Sequence, residues 1–98
     1  MADLRFEWDK RKAGANERKH GVSFEEAETV FADEYALLLD DPDHSAAEDR
    51  FILLSLSAHF RVLVVVHCYR KDDDVIRIIS ARKATKAERA QYDARWQS

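Results

Sequence analysis

Hydrophobic positions follow a helical period near both ends of the chain and form short, dense runs in its middle. Asp9 is a capping residue ahead of a mostly polar segment that ends at Gly21, where basic residues precede the glycine. One capping-box pattern starts at Ser23 and another at Thr85, each followed by apolar residues at helical spacing. The pattern therefore predicts two N-terminal helices, the second ending near residue 31, and one C-terminal helix.

The middle of the chain contains four segments rich in Val, Ile and Leu. They span residues 36–39, 51–57, 61–69 and 75–81, and residues 6–8 are a further edge-strand candidate. The polar breaks between them are short enough for antiparallel hairpins. The predicted fold is α+β, an antiparallel sheet of about four main strands packed with the three helices. We expect one domain over residues 1–98, because a chain this short does not hold two cores.

Composition excludes two classes of protein. The 98 residues include a single cysteine, so no internal disulfide can form and a disulfide-rich secreted scaffold is excluded. The first residues are charged and the longest apolar run, residues 62–66, has five residues. This pattern argues against a signal peptide and a membrane span, and we expect a cytoplasmic location.

The net charge of -3 conceals an uneven distribution of charge. Residues 21–49 carry ten carboxylates and no Lys or Arg, whereas residues 50–98 carry ten Lys and Arg against five carboxylates. We therefore expect a basic surface on an acidic protein, with the acidic stretch apart from it. The acidic residues between 40 and 49 lack the spacing of a calcium-binding loop, so we expect a solvated loop or a docking surface for a basic partner and no metal site.

Strand alternation groups basic residues on one predicted sheet face. In residues 61–69 the odd positions, which include His67 and Tyr69, share a face. A register that pairs odd with odd positions keeps Arg77 off the purely apolar face and places it beside His67. A two-residue turn at residues 59 and 60 brings Arg50 to the same side. We expect one face to gather Arg50, His67, Tyr69 and Arg77.

Such a face has the groups needed to cleave RNA. The ribose 2′-hydroxyl can attack the adjacent phosphate if a base, an acid and cations are supplied, and no metal or cofactor is required. Histidine titrates near neutral pH, and the guanidinium of arginine fits a phosphate. The same residues can form a structural salt-bridge network, which is the commoner role. Likewise, Lys12 and Lys19 on the first helix can follow a phosphate backbone or simply face solvent.

Short strings spread over nearly the whole chain carry a family resemblance. They are Phe6-Glu-Trp-Asp9, Lys12, Asn16, Lys19-His20-Gly21-Val22-Ser23-Phe24-Glu25-Glu26-Ala27, Asp41-Pro42-Asp43-His44-Ser45, Arg50-Phe51, Val64-Val65-Val66-His67, Arg77-Ile78-Ile79-Ser80-Ala81-Arg82-Lys83-Ala84, Glu88 and Tyr92. In these strings the chain resembles the BrnT toxins of bacterial type II toxin-antitoxin pairs. It departs from them at Lys10, where the family often has a proline, a change that bears on helix entry.

The resemblance implies a RelE-like fold and a ribonuclease that arrests translation and is neutralised by a BrnA-type antitoxin. It also implies a toxin homodimer within a toxin-antitoxin heterotetramer, in which only the antitoxin contacts operator DNA. At the level of the family, the resemblance adds Arg82, Lys83 and Tyr92 to the candidate site.

The sequence thus predicts an endoribonuclease that uses no metal and no cofactor. The candidate catalytic residues are Arg77, Arg82, His67, Lys83 and Tyr92, and the candidate RNA-binding or phosphate-binding residues are Arg50, Arg61, Lys12 and Lys19. The arginines would bind phosphate and stabilise the transition state, and the other catalytic candidates would transfer protons. Two alternatives stay open: a non-catalytic module that binds RNA or the ribosome, and an inactive toxin that serves only as a co-repressor with its antitoxin.

Overall fold

A computed structural model describes residues 4–40, 50–70 and 74–96, with the backbone only at residue 96. Its elements, in chain order, are β1 (Arg5–Glu7), α1 (Lys10–His20), α2 (Phe24–Thr29), a 3₁₀ turn (Val30–Ala32), β2 (Leu37–Asp40), β3 (Phe51–Leu56), β4 (Val62–Tyr69), β5 (Val75–Lys83) and α3 (Lys86–Trp96). The strand order is β1-β5-β4-β3-β2. Neighbouring strands are antiparallel except for the β1 and β5 pair, which is parallel. The predicted α+β class is confirmed, with the edge-strand candidate as a fifth strand.

The helices begin and end where their capping residues predict. The side chain of Asp9 accepts hydrogen bonds from two backbone N–H groups in the first turn of α1, and Gly21 ends the helix with a φ of 70°. The hydroxyl of Ser23 caps α2. At the start of α3, Glu88 accepts from the N–H of Thr85 while the hydroxyl of Thr85 accepts from the N–H of Glu88, which completes a capping box. None of the described helices is long and apolar enough to cross a membrane.

The sheet separates two apolar clusters. On the first side, which we call the α1 face, Phe24 of α2 and Val30 of the 3₁₀ turn pack against Leu63 and other strand residues. On the second side, the α3 face, Tyr92 of α3 packs against Leu54, Val62 and Val64. This second cluster covers parts of β2, β3 and the first half of β4. The part of the α3 face formed by β1 and the first half of β5 carries polar side chains instead.

The turn between β3 and β4 is one residue longer than predicted. The N–H of Ser57 donates to the carbonyl of Arg61 at 2.8 Å, and the N–H of Phe60 donates to the carbonyl of Ser57 at 2.9 Å. The turn therefore contains residues 58–60, with Phe60 at a φ of 62°. This turn pairs Phe51 with His67, so the predicted two-residue turn and its consequence for β3 are wrong.

A β-bulge between β4 and β5 changes the register in the middle of the pair. Val66 pairs with Ser80, but His67 pairs with Ile78, and Cys68 pairs with Arg77. One extra residue on β5 therefore moves every side chain beyond it to the other face. The predicted placement of His67 beside Arg77 is wrong, because the two residues lie on opposite faces of the sheet.

Candidate active site and nucleic-acid interface

Arg77 lies on the α3 face beside a carboxylate from the edge strand. β1 runs parallel to β5 and pairs Glu7 directly with Arg77. The Nη1 of Arg77 is 3.0 Å from the Oε2 of Glu7, and the Nε of Arg70 is 3.4 Å from the same oxygen. The side chains of Arg77 and Glu7 are 34% and 38% exposed. A carboxylate and two guanidinium groups therefore stand together at a partly exposed surface.

Arg82 lies on the same face, near the end of β5. Its two terminal nitrogens are 2.8 and 2.9 Å from the two carboxylate oxygens of Glu88. The hydrogen bonds from Arg82 lower the pKa of Glu88 to about 2, against the opposing effect of burial. Glu88 thus stays charged at neutral pH, where it fixes the guanidinium and is a poor base.

Arg50 precedes the first residue of β3, and continued alternation places it with Ile52 on the α3 face. Its Nε is buried and has no hydrogen-bond partner within the described part of the chain. We call Arg50, Arg77 and Arg82 the arginine face. The sequence predicted that Arg50 and Arg77 share a face. They do share one, because the longer turn moves Arg50 to the α3 face and the bulge moves Arg77 to the same face.

His67 and Tyr69 lie on the α1 face and are therefore not part of the arginine face, contrary to the prediction. His67 is fully buried on the α1 face, where its ring meets Phe31 edge-on with centroids 4.9 Å apart. Its Nε2 is 3.2 Å from the hydroxyl of Tyr69, and its Nδ1 is 3.3 Å from the carbonyl of Val65. Burial lowers the pKa of His67 below its ordinary value. The imidazole is therefore a neutral core group without access to RNA in this structure.

Tyr92 is also buried, and its hydroxyl has a partner in the protein. It donates to the Oδ2 of Asp33 at 2.6 Å, and that oxygen accepts further hydrogen bonds from the hydroxyl of Ser55 and the N–H of Leu56. Burial raises the pKa of Asp33, but these hydrogen bonds outweigh it and hold the pKa below its ordinary value. Tyr92 thus connects α3 to a charged carboxylate inside the fold.

Lys83 and Arg61 line one cleft at the other end of the sheet. The guanidinium of Arg61 forms two hydrogen bonds to the buried carboxylate of Glu26, one from its Nε at 3.0 Å. A cleft of about 200 Å³ opens beside this pair, and we call it the turn cleft. It is lined by Phe60, Arg61, Val62, Lys83, Ala84 and Arg89. Lys12 and Lys19 are exposed on α1, and neither forms an ion pair with another residue in the described part of the chain.

Sequence reasoning missed three residues of these surfaces. The sequence offered one indication of Glu7, a charged residue between Phe6 and Trp8 in an edge-strand candidate. It did not indicate which strand would pair with this segment. Phe60 sits between His59 and Arg61 in a turn, which is the aromatic and basic mixture typical of single-strand nucleic-acid binding. Arg89 gave no signal that separated it from other solvated helix residues.

The described residues contain no group of three or more His, Cys, Asp or Glu side chains placed to hold a metal ion. The acidic segment at residues 41–49, for which the sequence predicted a solvated loop, lies outside the described residues.

The fold and the arginine face define a small α+β protein whose sheet carries arginine side chains on one face. The family model described as ribonuclease toxin, BrnT, of type II toxin-antitoxin system matches residues 8–88. The chain therefore belongs to the BrnT family of ribonuclease toxins, as its sequence strings predicted. Membership in a toxin-antitoxin family implies an antitoxin partner.

A solved structure supports the same fold. The crystal structure of the ribonuclease toxin BrnT of Brucella abortus matches with a TM-score of 0.65 and 21% sequence identity, covering 85% of this chain and 99% of that chain. At this identity the likeness concerns the fold. No curated protein matches the chain.

Proposed function

We propose that the chain is an endoribonuclease toxin that cleaves RNA by 2′-hydroxyl attack, with Arg77 and Glu7 at the reacting phosphate. The observation that carries this proposal is the 3.0 Å contact between the Arg77 guanidinium and the Glu7 carboxylate on a half-exposed sheet face. In this reaction a carboxylate can act as the base and a neighbouring guanidinium can bind the phosphate, while solvent supplies the acid.

The proposed reaction assigns a role to each group. Glu7 takes the proton of the 2′-hydroxyl while the 2′ oxygen bonds to phosphorus. The bond from phosphorus to the 5′ oxygen breaks, and that oxygen takes a proton from solvent, because His67 and Tyr92 are buried. Protonation of Glu7 removes its charge and frees Arg77 to stabilise the extra negative charge on the phosphate oxygens. The products are a 2′,3′-cyclic phosphate and a 5′-hydroxyl.

The other arginines extend the positive potential along the RNA. Arg50 is only partly buried as a residue, and its positive charge lies on the same face as Arg77. Glu88 holds Arg82 in a fixed orientation, so little side-chain entropy is lost when a phosphate binds.

The test is cleavage of end-labelled single-stranded RNA by the purified chain, freed from any antitoxin, in the presence of a metal chelator. We expect Arg77→Ala and Glu7→Gln each to lower the cleavage rate on the order of 100-fold. The matched control is Arg5→Ala, which removes an arginine from the same edge strand. Arg5 is 66% exposed and pairs with Asp74, so its loss is expected to leave cleavage unchanged.

Other results would support different assignments. A folded Arg77→Ala variant with full activity would remove Arg77 from the site. A parent chain that binds RNA without cutting it would be a binding module. A chain that neither cuts RNA nor slows growth when expressed without antitoxin would act only as a co-repressor.

We also propose that RNA cleavage by this chain arrests translation and that a BrnA-type antitoxin neutralises it. Family membership supports this proposal. The expected complex is a heterotetramer built on a toxin dimer, which light scattering on the co-expressed pair would measure. Addition of the purified antitoxin should stop cleavage of RNA by the free chain.

A further inference from the structure

We propose that the turn cleft binds one nucleotide of single-stranded RNA, with its base stacked on Phe60 and its phosphate between Lys83 and Arg89. This inference rests on the proposed function for the identity of the ligand as RNA. It adds a binding subsite at a distance from the pair of Arg77 and Glu7.

Phe60 is unfavourable for the folded chain in two ways. Its side chain is 84% exposed, so the ring gains almost nothing from burial. Its φ of 62° is in the left-handed region, where glycine and asparagine fit better than a bulky residue. An exposed ring at a strained turn position is explained if the ring serves a ligand. Aromatic side chains that present a free face stack on nucleic-acid bases with little regard to sequence.

The cations of the turn cleft are available for a phosphate. Lys83 and Arg89 are both exposed, and neither forms an ion pair with any residue in the ranges 4–40, 50–70 and 74–96. They line the same cleft as Phe60. Its volume of about 200 Å³ suits a phosphate or part of a nucleotide, because pockets for whole small molecules start at about 300 Å³.

Hydrogen bonds that involve Ser57 and Glu26 hold the backbone of the turn at residues 58–60 in place. The hydroxyl of Ser57 donates to the Oε2 of Glu26 at 2.7 Å and accepts from the N–H of His59 at 3.2 Å. The same carboxylate binds the guanidinium of Arg61, which also donates to the carbonyl of Gly21 at 3.1 Å. The ring of Phe60 therefore projects from a fixed turn, which lowers the entropy lost when a base stacks on it.

The experiment measures binding of a short 2′-O-methyl RNA, which cannot be cleaved by 2′-hydroxyl attack, by fluorescence anisotropy. We expect Phe60→Gly to weaken binding about tenfold, equivalent to about 1.4 kcal/mol. Phe60→Tyr is expected to retain binding, because its ring can stack. The stability of Phe60→Gly should equal or exceed that of the parent, since glycine accepts the positive φ. Phe60→Asn gives a second variant that tolerates this conformation.

A double comparison makes the test specific for stacking. Abasic sites placed in the same RNA should weaken binding to the parent and cause no further loss with Phe60→Gly. Lys83→Ala and Arg89→Ala should each weaken binding, whereas Lys10→Ala, at the exposed start of α1, is expected not to.

The outcomes separate this inference from the proposed function. Unchanged RNA affinity in Phe60→Gly would overturn the subsite, even if the chain cleaves RNA. Conversely, a chain that cannot cleave RNA but binds it through Phe60 would overturn the proposed function and support the subsite. Loss of antitoxin binding in Phe60→Gly with unchanged RNA affinity would make the cleft a protein contact, which also overturns the inference.

Discussion

At the scale of single residues, the buried imidazole of His67 makes stability depend on pH. Because burial lowers its pKa from 6.5, the unfolded chain takes up a proton at a higher pH than the folded chain does. The stability that the neutral ring contributes is complete above pH 6.5 and is lost as the pH falls through the folded pKa. We expect the free energy of unfolding, measured in urea, to fall more steeply with decreasing pH in the parent than in His67→Gln. Leu63→Val, a core change without a titratable group, should keep the slope of the parent; equal slopes in all three proteins would contradict a buried neutral His67.

A second residue-scale prediction concerns Glu26, whose carboxylate is 3% exposed. The hydrogen bond from Arg61 is the largest influence on its pKa, and with Ser57 it lowers that pKa despite burial. Glu26→Gln removes the charge and leaves part of the Arg61 guanidinium without its acceptor. We expect a loss of about 2 kcal/mol in the free energy of unfolding. Glu25→Gln, an exposed neighbour, is the control and should change little; equal stability of the two variants would show that the pair is not stabilising.

At the scale of elements, periodicity and capping residues were enough to place all three helices and the strands. It was harder to predict which face of the sheet each side chain occupies, because strict alternation holds only where no extra residue interrupts a strand. The bulge opposite His67 and the three-residue turn at Phe60 each break that assumption, and neither has a glycine or Asn-Gly signal in the sequence. Parallel pairing of β1 with β5 was equally hidden, since a three-residue strand has no pattern that names its neighbour. The sequence therefore allowed arginines to be proposed for a site, but it did not reveal Glu7 and Glu88 as the carboxylates that pair with Arg77 and Arg82.

The attachment of α3 gives a prediction at the same scale. The hydroxyl of Tyr92 is one of three hydrogen-bond donors to the Oδ2 of Asp33, and the ring fills the cluster beneath the helix. Tyr92→Phe keeps the ring and removes the hydroxyl. We expect it to lower the free energy of unfolding by about 2 kcal/mol and to leave the cleavage rate of the folded protein unchanged. Full stability combined with lost cleavage would instead assign Tyr92 a role in proton transfer.

At the scale of the whole molecule, opposite charges are separated along the chain. Every cation of the arginine face and of the turn cleft comes from residues 50–98, whereas residues 21–49 supply ten of the 19 carboxylates. Glu26, a buried carboxylate of this segment, is paired with Arg61, so the two charges offset each other beside the cleft. Salt screens charges that lie more than a Debye length from a bound phosphate, so the nearby charges dominate binding. A protein with a net charge of -3 can therefore present a surface that attracts phosphate.

This separation predicts how RNA binding responds to salt. Each phosphate contact to single-stranded RNA contributes about -0.7 to the slope of log affinity against log salt concentration. We expect Lys83→Ala and Arg89→Ala each to make the slope shallower by about this amount, because each removes one cation from the turn cleft. Phe60→Gly should lower the affinity at every salt concentration and leave the slope unchanged, since stacking releases no counterions. The measurement is a salt titration of 2′-O-methyl RNA binding, with Lys10→Ala as the charge-matched control. If Phe60→Gly flattened the slope as much as Lys83→Ala does, its effect would come from a rearranged charge distribution, and the ring would not be the surface on which a base stacks.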